Sequence, residues 1–197
     1  MIKEELLKKY GAVYKQLEKG QLLFYEGDTP VFYYQIVDGT IKMNNYNEEG
    51  QETIQGIFTA NQSFGEPAIL GDFPFPANAE ALDHSTLICL EKHQFYQLLK
   101  EQPAISIELL QILSRRLRFK AILSKEVKGF AAEHRIMTLL EYLKKESGTK
   151  GAYCVPMTRQ TIANLTGLRV ETVIRTIKSL AGQERLVLKA RKIYLEE

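Results

Sequence analysis

The side chains best suited to chemistry lie near the carboxyl end of the chain, in the stretch TRQTIANLTGLRVETVIRTIKSL. Its spacing predicts two helices joined by a tight turn, because Ala163 is small enough for a helix crossing and Gly167 allows a left-handed turn. Leu168 and Val173 would then pack the second helix on the first. Thr158 is a good cap for the first helix and leaves backbone N–H groups free to meet a phosphate.

The second of these helices carries polar side chains at a spacing that suits the edges of DNA bases. An arginine can bridge O6 and N7 of guanine, and a glutamate can accept a hydrogen bond from N4 of cytosine. The residues on or near the outward face of its early turns are Arg169, Glu171, Thr172 and Arg175. An exposed ion pair between Glu171 and Arg175 is the plainer interpretation of the same spacing. It does not explain the basic turn that follows, Lys189 to Lys192, which suits contacts with DNA phosphates.

The distribution of charge favours a polyanionic partner for this end of the chain. The 197 residues include 26 Lys and Arg and 24 Asp and Glu, a net charge of +2. Residues 1–100 carry −6, residues 101–128 carry +3 and residues 129–197 carry +5. This asymmetry predicts different roles for the two ends, although chance distribution of solvated charge is an alternative.

The overall composition is that of an ordinary folded protein, with 45% hydrophobic and 25% charged residues. It excludes disorder, collagen-like repeats and a disulfide scaffold. The two cysteines, Cys89 and Cys154, lie in no CxxC pattern. No apolar run reaches the 18 residues of a membrane span, and the first ten residues lack the apolar core of a signal peptide. We therefore expect a cytoplasmic protein that does not contact membranes.

Three kinds of element are predicted to position these side chains. From about residue 13 to 90, turn signals at short intervals indicate an antiparallel sandwich or barrel, with strands in QLLFYEGD, VFYYQIVDGTIKMNNYNEEGQETIQGIF and STLICLE. Its glycines are expected at positive φ or at close backbone approaches: Gly20, Gly27, Gly39, Gly50 and Gly65. A long helix follows, and then an amphipathic helix, a short strand, the two-helix motif and two final strands. The predicted boundaries are 1–103, 104–128 and 129–197.

The long helix carries two apolar stripes. Such a helix can pack one stripe on its own domain and offer the other to a partner helix. A wholly buried core helix in a monomer is the alternative, but Arg116 and Glu126 suit a partly solvated interface better. The seam predicted to meet a partner is Leu109, Ile112, Arg116, Phe119, Leu123 and Glu126. The second stripe is Leu110, Leu113 and Leu117.

Together these features resemble the catabolite activator / fumarate-nitrate regulator (Crp/Fnr) family of transcription factors. The resemblance covers nearly the whole chain and rests on the glycine-rich β pattern, the run Phe64-Gly65-Glu66, the long helix, and MTRQTIANLTGLRVETVIR. It implies an α+β fold with an N-terminal cyclic-nucleotide-binding-like β-roll (a double-stranded β-helix or jelly roll), a dimerisation helix and a C-terminal winged helix-turn-helix. It also implies a homodimer that binds double-stranded DNA, with RNA polymerase as a further partner.

The resemblance also implies roles for single residues. Glu171 and Arg175 look like the family's base readers. Val170 stands where the cyclic-AMP branch places a base-reading arginine, and it matches the fumarate-nitrate branch instead. Ile174 replaces that branch's serine, and Arg169 is a candidate to compensate. The expected DNA-phosphate contacts are Thr158, Arg159, Gln160, Lys178, Lys189, Arg191 and Lys192.

The family's cyclic-nucleotide pocket combines a Gly-Glu pair with a later Arg-Ser pair, and only the first pair is present here. Gly65 and Glu66 match, but Phe75, Pro76 and Ala77 stand at the positions of the second pair. No Lys or Arg occurs from Met43 to Glu91, whereas eight acidic residues do. Because a buried phosphate needs a charged partner, we expect that cyclic AMP does not bind. On the long helix, Lys120 and Ala121 replace the family's Thr-Ser pair that would touch adenine. Lys120 would supply a positive charge, so an anionic ligand other than cyclic AMP stays an alternative.

No cofactor is expected. The oxygen-sensing branch holds an iron–sulfur cluster on N-terminal cysteines, and this chain has none before Cys89. Haem on His84, His93 or His134 is disfavoured, since lone histidines are more often surface residues. The FPFP run, Phe73 to Pro76, can line an apolar pocket but more readily forms a rigid loop that packs two aromatic rings.

The sequence thus predicts a DNA-binding regulator, not an enzyme, since no nucleophile–base arrangement or phosphate-cradling loop occurs. Its effector is unknown and is expected to differ from cyclic AMP. The alternatives are a regulator without an effector and a ligand-sensing adaptor that acts through protein contacts.

Overall fold

In the computed structural model, which describes residues 2–127, 130–190 and 192–196, the apolar runs of the first half form eight strands. They are β1 (Val13–Leu17), β2 (Leu22–Phe24), β3 (Phe32–Asp38), β4 (Thr40–Tyr46), β5 (Glu52–Thr59), β6 (Ser63–Phe64), β7 (Asn78–Ala81) and β8 (Ser85–Glu91). Two antiparallel four-stranded sheets result, in the orders β1-β8-β3-β6 and β2-β7-β4-β5. This is the predicted β-roll. Three helices accompany it: α1 (Glu4–Lys9), α2 (Glu66–Gly71) and α3 (Lys92–Glu101).

Strands β3 and β8 of the first sheet are buried on both faces: successive side chains of a strand point to opposite sides, and here both sets are covered. Along β8, Leu87 and Cys89 join the core between the two sheets, whereas Ile88 and Leu90 join a second core beneath the helices. This double burial explains why the strand reads as a continuous apolar run.

Tight turns connect these strands, and all five glycines predicted to need positive φ have it. Gly39, between β3 and β4, shows the physical reason most clearly. Its φ is +94°, and a β-carbon there would overlap Ser85. Only glycine satisfies both conditions without strain.

The long helix, α4 (Pro103–Val127), spans the division of the chain into two units, Met1–Leu113 and Ser114–Glu197. The predicted boundaries near residues 103 and 128 stay predictions. The second unit continues with α5 (Ala132–Ser147), β9 (Tyr153–Cys154), α6 (Arg159–Thr166), α7 (Val170–Gly182), β10 (Val187–Lys189) and β11 (Lys192–Leu195). Its three strands form one antiparallel sheet in the order β10-β11-β9.

Two side chains of the predicted dimer seam on α4 make contacts within the chain, and the seam itself stays a prediction. Leu109 is buried in the core beneath the β-roll, and the ring of Phe119 stacks on Tyr142 with centroids 3.6 Å apart. Both contacts lie within the chain, so Leu109 is unavailable to a partner helix in this conformation. Three large apolar side chains on another face are 55%, 58% and 72% exposed, namely Ile107, Leu110 and Leu117. Ile112 and Arg116 are half-buried, and the side chains of Leu123 and Glu126 lie outside the described residues.

In the part of the chain that the structure describes, no helix is long and apolar enough to cross a bilayer.

Candidate nucleic-acid interface

The two-helix motif of the second unit is built as its sequence predicts. The hydroxyl of Thr158 caps α6 by accepting a hydrogen bond of 3.0 Å from the backbone N–H of Thr161. The helix ends at Gly167, whose φ of +64° turns the chain, and the N–H of Leu168 then donates to the carbonyl of Ala163 at 3.1 Å. The N–H of Gly167 donates to the same carbonyl, so the left-handed turn closes the end of α6.

The position of α7 is fixed by its apolar face. Val173, Ile177 and Leu180 are fully buried against α5 and α6, in the core of this unit. Residues three, four and seven apart share one side of a helix, so the opposite side carries an exposed row. That row consists of Glu171, Ile174, Arg175 and Lys178.

The charged groups of this row are available to a partner. Within the described part of the chain, Glu171 and Arg175 form no ion pair with each other or with another residue. Arg169, at the cap position of α7, is also exposed and makes no capping hydrogen bond. Val170 and Thr172 are half-buried and flank the row.

The predicted phosphate contacts lie at two further places. At the start of α6, Thr158 and Gln160 are exposed and Arg159 is half-buried, and the amide of Gln160 donates to Asn164 at 2.8 Å. In the hairpin of β10 and β11, the exposed Lys189 and Lys192 are register partners. Arg191, in the turn between them, lies outside the described residues.

The interior of the β-roll is filled with aromatic side chains where the resemblance places an effector. Phe75 is 2% exposed, and its ring stacks on Phe24 with centroids 3.6 Å apart and planes within 7°. A β-carbon at Gly65 would lie 3.0 Å from the Phe75 ring, so the ring rests directly on that glycine. Glu66 is fully buried and accepts a hydrogen bond from the Ser63 hydroxyl.

The loop that carries Phe75 is fastened to the turn after β2. The N–H of Phe75 donates to the carbonyl of Asp28 at 2.9 Å, and the N–H of Gly27 donates to the carbonyl of Phe75 at 2.8 Å. Ala77 is buried in the core and Pro76 is exposed. The FPFP loop is therefore rigid as expected. It packs one aromatic ring into the core rather than two, because Phe73 is 41% exposed.

Lys42, which directly precedes the acidic stretch from Met43 to Glu91, faces away from the core of the β-roll. Lys42 alternates along β4 with Ile41 and Met43, which point into the core. Its Nζ lies 2.6 Å from Glu52 and 3.0 Å from Glu80. Burial alone would lower the pKa of Lys42, but the hydrogen bonds to these two carboxylates raise it above the ordinary value. Its charge is therefore already paired.

Lys120 and Ala121 lie on α4 in the second unit, and their assignment to the effector pocket stays a prediction. Among the three histidines, His84 and His93 each lie beside a surface carboxylate, and His134 stacks on Phe130. Across the described residues, no group of three or more His, Cys, Asp or Glu is placed to hold a metal ion.

A β-roll followed by a long helix and a winged helix-turn-helix defines a DNA-binding transcription regulator with a sensory domain. Residues 14–102 match the cyclic nucleotide-binding domain family, and residues 134–196 match the Crp-like helix-turn-helix domain family. The chain belongs to the Crp/Fnr family of transcription regulators.

Curated relatives and solved structures agree with this assignment. The chain is 28% identical to the fumarate and nitrate reduction regulatory protein of Escherichia coli (strain K12) over 186 residues, which are 92% of this chain and 74% of that protein. For the protein of the same name in Vibrio cholerae serotype O1, identity is 29% over 183 residues, or 91% and 73% of the two chains. FixK2 from Bradyrhizobium japonicum shares the fold with a TM-score of 0.79 at 22% identity, over 94% of this chain and 93% of that one. The regulator CLP of Xanthomonas campestris, described as c-di-GMP responsive, has a TM-score of 0.79 at 17% identity, over 99% and 100%.

The predicted fold and family are thereby confirmed, and the curated relatives are regulators rather than enzymes. Sequence reasoning placed Arg169, Glu171 and Arg175 among the base readers, and the structure leaves all three exposed. Ile174, which the sequence analysis identified as a departure from the family's pattern, is exposed in the same row.

Proposed function

We propose that the protein acts as a homodimer that binds a pseudo-palindromic operator and regulates transcription from it. The observation that carries this proposal is the exposed row of α7, which lies opposite a fully buried face and near a hairpin with two free lysines. Two copies of α7 would enter successive major grooves about 34 Å apart. The partners would be DNA, a second copy of the chain and RNA polymerase, in the cytoplasm.

In this proposal the exposed row reads bases while the surrounding polar groups hold the DNA backbone. Arg175 would bridge a guanine and Glu171 would accept a hydrogen bond from a cytosine nearby. Arg169, Val170 and Thr172 would complete the base contacts. The phosphate contacts would come from Thr158, Arg159, Gln160, Lys178, Lys189, Arg191 and Lys192.

The surface that supports a dimer is the exposed stripe of α4. Ile107, Leu110 and Leu117 are each more than half exposed and share one side of the helix. Burial of such a stripe against a second copy would remove it from water. The paired substitution Leu110→Lys and Leu117→Lys is expected to shift the protein from dimer to monomer in sedimentation velocity. A dimer that survives both changes would place the interface elsewhere.

The DNA-binding test starts from an operator selected in vitro with the purified protein. Arg175→Ala should cost about 1–3 kcal/mol of binding free energy and relax specificity. Lys192→Ala should weaken all sequences alike and flatten the dependence of affinity on salt. An unchanged gel shift for Arg175→Ala would refute the base-reading role. DNA binding that is absent or insensitive to salt would favour the adaptor function.

For the β-roll, we propose that cyclic AMP is not the effector and that the domain holds no iron–sulfur cluster or haem. The stack of Phe75 on Phe24 supports this, since rings occupy the interior beside Gly65. The same observation favours a regulator that needs no effector. Calorimetric binding of cyclic AMP tighter than about 100 μM would overturn the first statement. Native mass spectrometry with an absorption spectrum of an anaerobic sample would reveal a bound ligand, haem or cluster.

A further inference from the structure

A groove in the second unit lies apart from the residues proposed to contact DNA. It has a volume of about 760 Å³ and is lined by the C-terminal part of α5, the segment after α7 and the end of β11. The buried side chains of Met137 and Leu195 form its apolar part. Three acidic and three basic residues border it, namely Glu141, Glu184, Glu196, Lys144, Lys145 and Arg185. Drug-sized ligands occupy sites of this volume, so the groove has room for far more than a single ion.

Side chains of both charges are available to a ligand in this groove. In the part of the chain that the structure describes, none of the six charged side chains forms an ion pair. The ammonium group of Lys144 donates to the backbone carbonyl of Glu196 at 2.9 Å, so the Glu196 carboxylate is not its partner. Acidic and basic groups in one groove favour a ligand that carries both charges, and the apolar part favours a ligand with an apolar body.

Glu184, directly after the end of α7, adopts a backbone conformation that ordinarily belongs to glycine. Its φ is +59°. The N–H of Arg185 donates to the carbonyl of Leu180 at 3.0 Å, and the N–H of Glu184 donates to the carbonyl of Ala181 at 3.1 Å. These two bonds form the Schellman pattern of a helix end, in which glycine is the usual residue at the left-handed position.

The two preceding helices of the same unit follow this preference for glycine. α5 ends at Gly148 with φ +66°, and α6 ends at Gly167 with φ +64°. A side chain at such a position strains the backbone, because its β-carbon crowds the following carbonyl oxygen. Folding alone would therefore favour glycine at position 184 as well. A strained residue at the edge of a groove indicates a role in binding, and the group that Glu184 adds there is a carboxylate.

We propose that this groove binds a short zwitterionic peptide with apolar side chains, whose N-terminal ammonium group pairs with Glu184. The C-terminal end of a helix carries a partial negative charge, so the end of α7 strengthens the attraction of this place for a cation. The carboxylate of the peptide pairs with Lys145 and Arg185, and its side chains cover Met137 and Leu195. This site does not depend on the proposed DNA binding.

The experiment titrates the full chain with trileucine and follows the amide chemical shifts by NMR. Wild type should bind trileucine with a dissociation constant below about 1 mM. N-acetyl-trileucine lacks the ammonium group and should bind at least about tenfold more weakly, because a hydrogen bond between charged groups is lost. Trileucine amide lacks the carboxylate and should show a loss of similar size.

The substitution Glu184→Gly separates a role in binding from a role in folding. It removes the carboxylate and relieves the backbone, so it should weaken trileucine binding at least about tenfold without lowering the melting temperature. Ala190→Gly is the matched control, because Ala190 has φ +48° in the turn after β10 and does not line the groove. It relieves the same kind of strain and should leave trileucine binding unchanged.

Four results would overturn this proposal, and none of them bears on DNA binding. Wild type that shows no saturable change in chemical shift at millimolar trileucine has no such site. Equal affinities for trileucine and its acetylated form would show that the ammonium group is not recognised. Unchanged binding by Glu184→Gly would place the peptide elsewhere. An equal loss in Ala190→Gly would attribute the effect to the backbone rather than to the carboxylate.

Discussion

Replacing Phe75 by alanine should destabilise the β-roll by about 3–5 kcal/mol, the usual loss for a phenylalanine removed from a packed core. The structure supports the upper part of this range, because the ring is almost fully buried and lies flat on Phe24. Such an aromatic pair contributes about 0.5–1.5 kcal/mol beyond the area that it buries. A domain is stable by only about 5–15 kcal/mol, so the loss would be a large share of the total.

The same loop supplies the control for this measurement. Phe73 is two residues away in the FPFP run but substantially exposed, so Phe73→Ala should change stability by about 0.5 kcal/mol or less. Hydrogen exchange followed by mass spectrometry suits a chain with two units, because it reports stability segment by segment. Peptides from β3 and β8 should lose protection in Phe75→Ala, while peptides from α7 should not.

A loss below about 1 kcal/mol for Phe75→Ala would refute the packing argument. It would mean that the ring leaves the core in solution and that the space beside Gly65 is open to a ligand. If the argument holds, the variant contains an apolar cavity, and a small hydrocarbon such as benzene should stabilise it and not the wild type.

Three further outcomes are expected. Thr158→Ala removes the cap of α6 and should lower the free energy of unfolding by about 1 kcal/mol in urea denaturation, whereas Thr158→Ser should be nearly neutral; equal losses for both would show that the hydroxyl is not the stabilising group. The pKa of Lys42 is raised, so the stability that its ion pairs contribute is fully present below the ordinary value of 10.5 and is lost as pH rises through the folded value. As pH rises above about 10, the free energy of unfolding of the wild type should therefore fall more steeply than that of Lys42→Met. The same pH dependence in both proteins would contradict this linkage. Burial raises the pKa of Cys89 to about 11, so iodoacetamide at neutral pH should label the half-exposed Cys154 first, and equal rates would show that the sheet opens.

The strands of the β-roll were predictable because glycine turns punctuate them, whereas its short helices were not. α2 starts at the left-handed Gly65, and α3 starts directly after β8 at Lys92. Neither helix has a side-chain cap, and no glycine or proline separates α3 from the preceding strand. The start of α3 therefore lacks the usual signals, whereas α2 has Glu66 and Pro67 in its first turn but spans only six residues, too few to show a helical periodicity.

The long helix shows a different limit of sequence reasoning. Its existence follows from an uninterrupted apolar periodicity, but the predicted seam, which contains Arg116 and Glu126, lies beside a second stripe made of leucines. Periodicity does not determine which stripe the β-roll covers. The structure uses one residue of each stripe for this core: Leu109 is buried with residues of α1 and α3, Leu113 packs against the same cluster, and Leu110 stays exposed.

The sequence shows that the candidate effector pocket lacks the family's arginine, and only the structure shows that the ring of Phe75 lies inside it. The lack of this arginine can be read from the sequence. On its own, however, it would still allow a ligand without a phosphate to bind in the pocket. The ring of Phe75 occupies the space directly beside Gly65, and two backbone hydrogen bonds fasten this residue to the turn after β2. We therefore expect an anionic effector to enter this interior only if a cation is supplied and the ring of Phe75 is displaced.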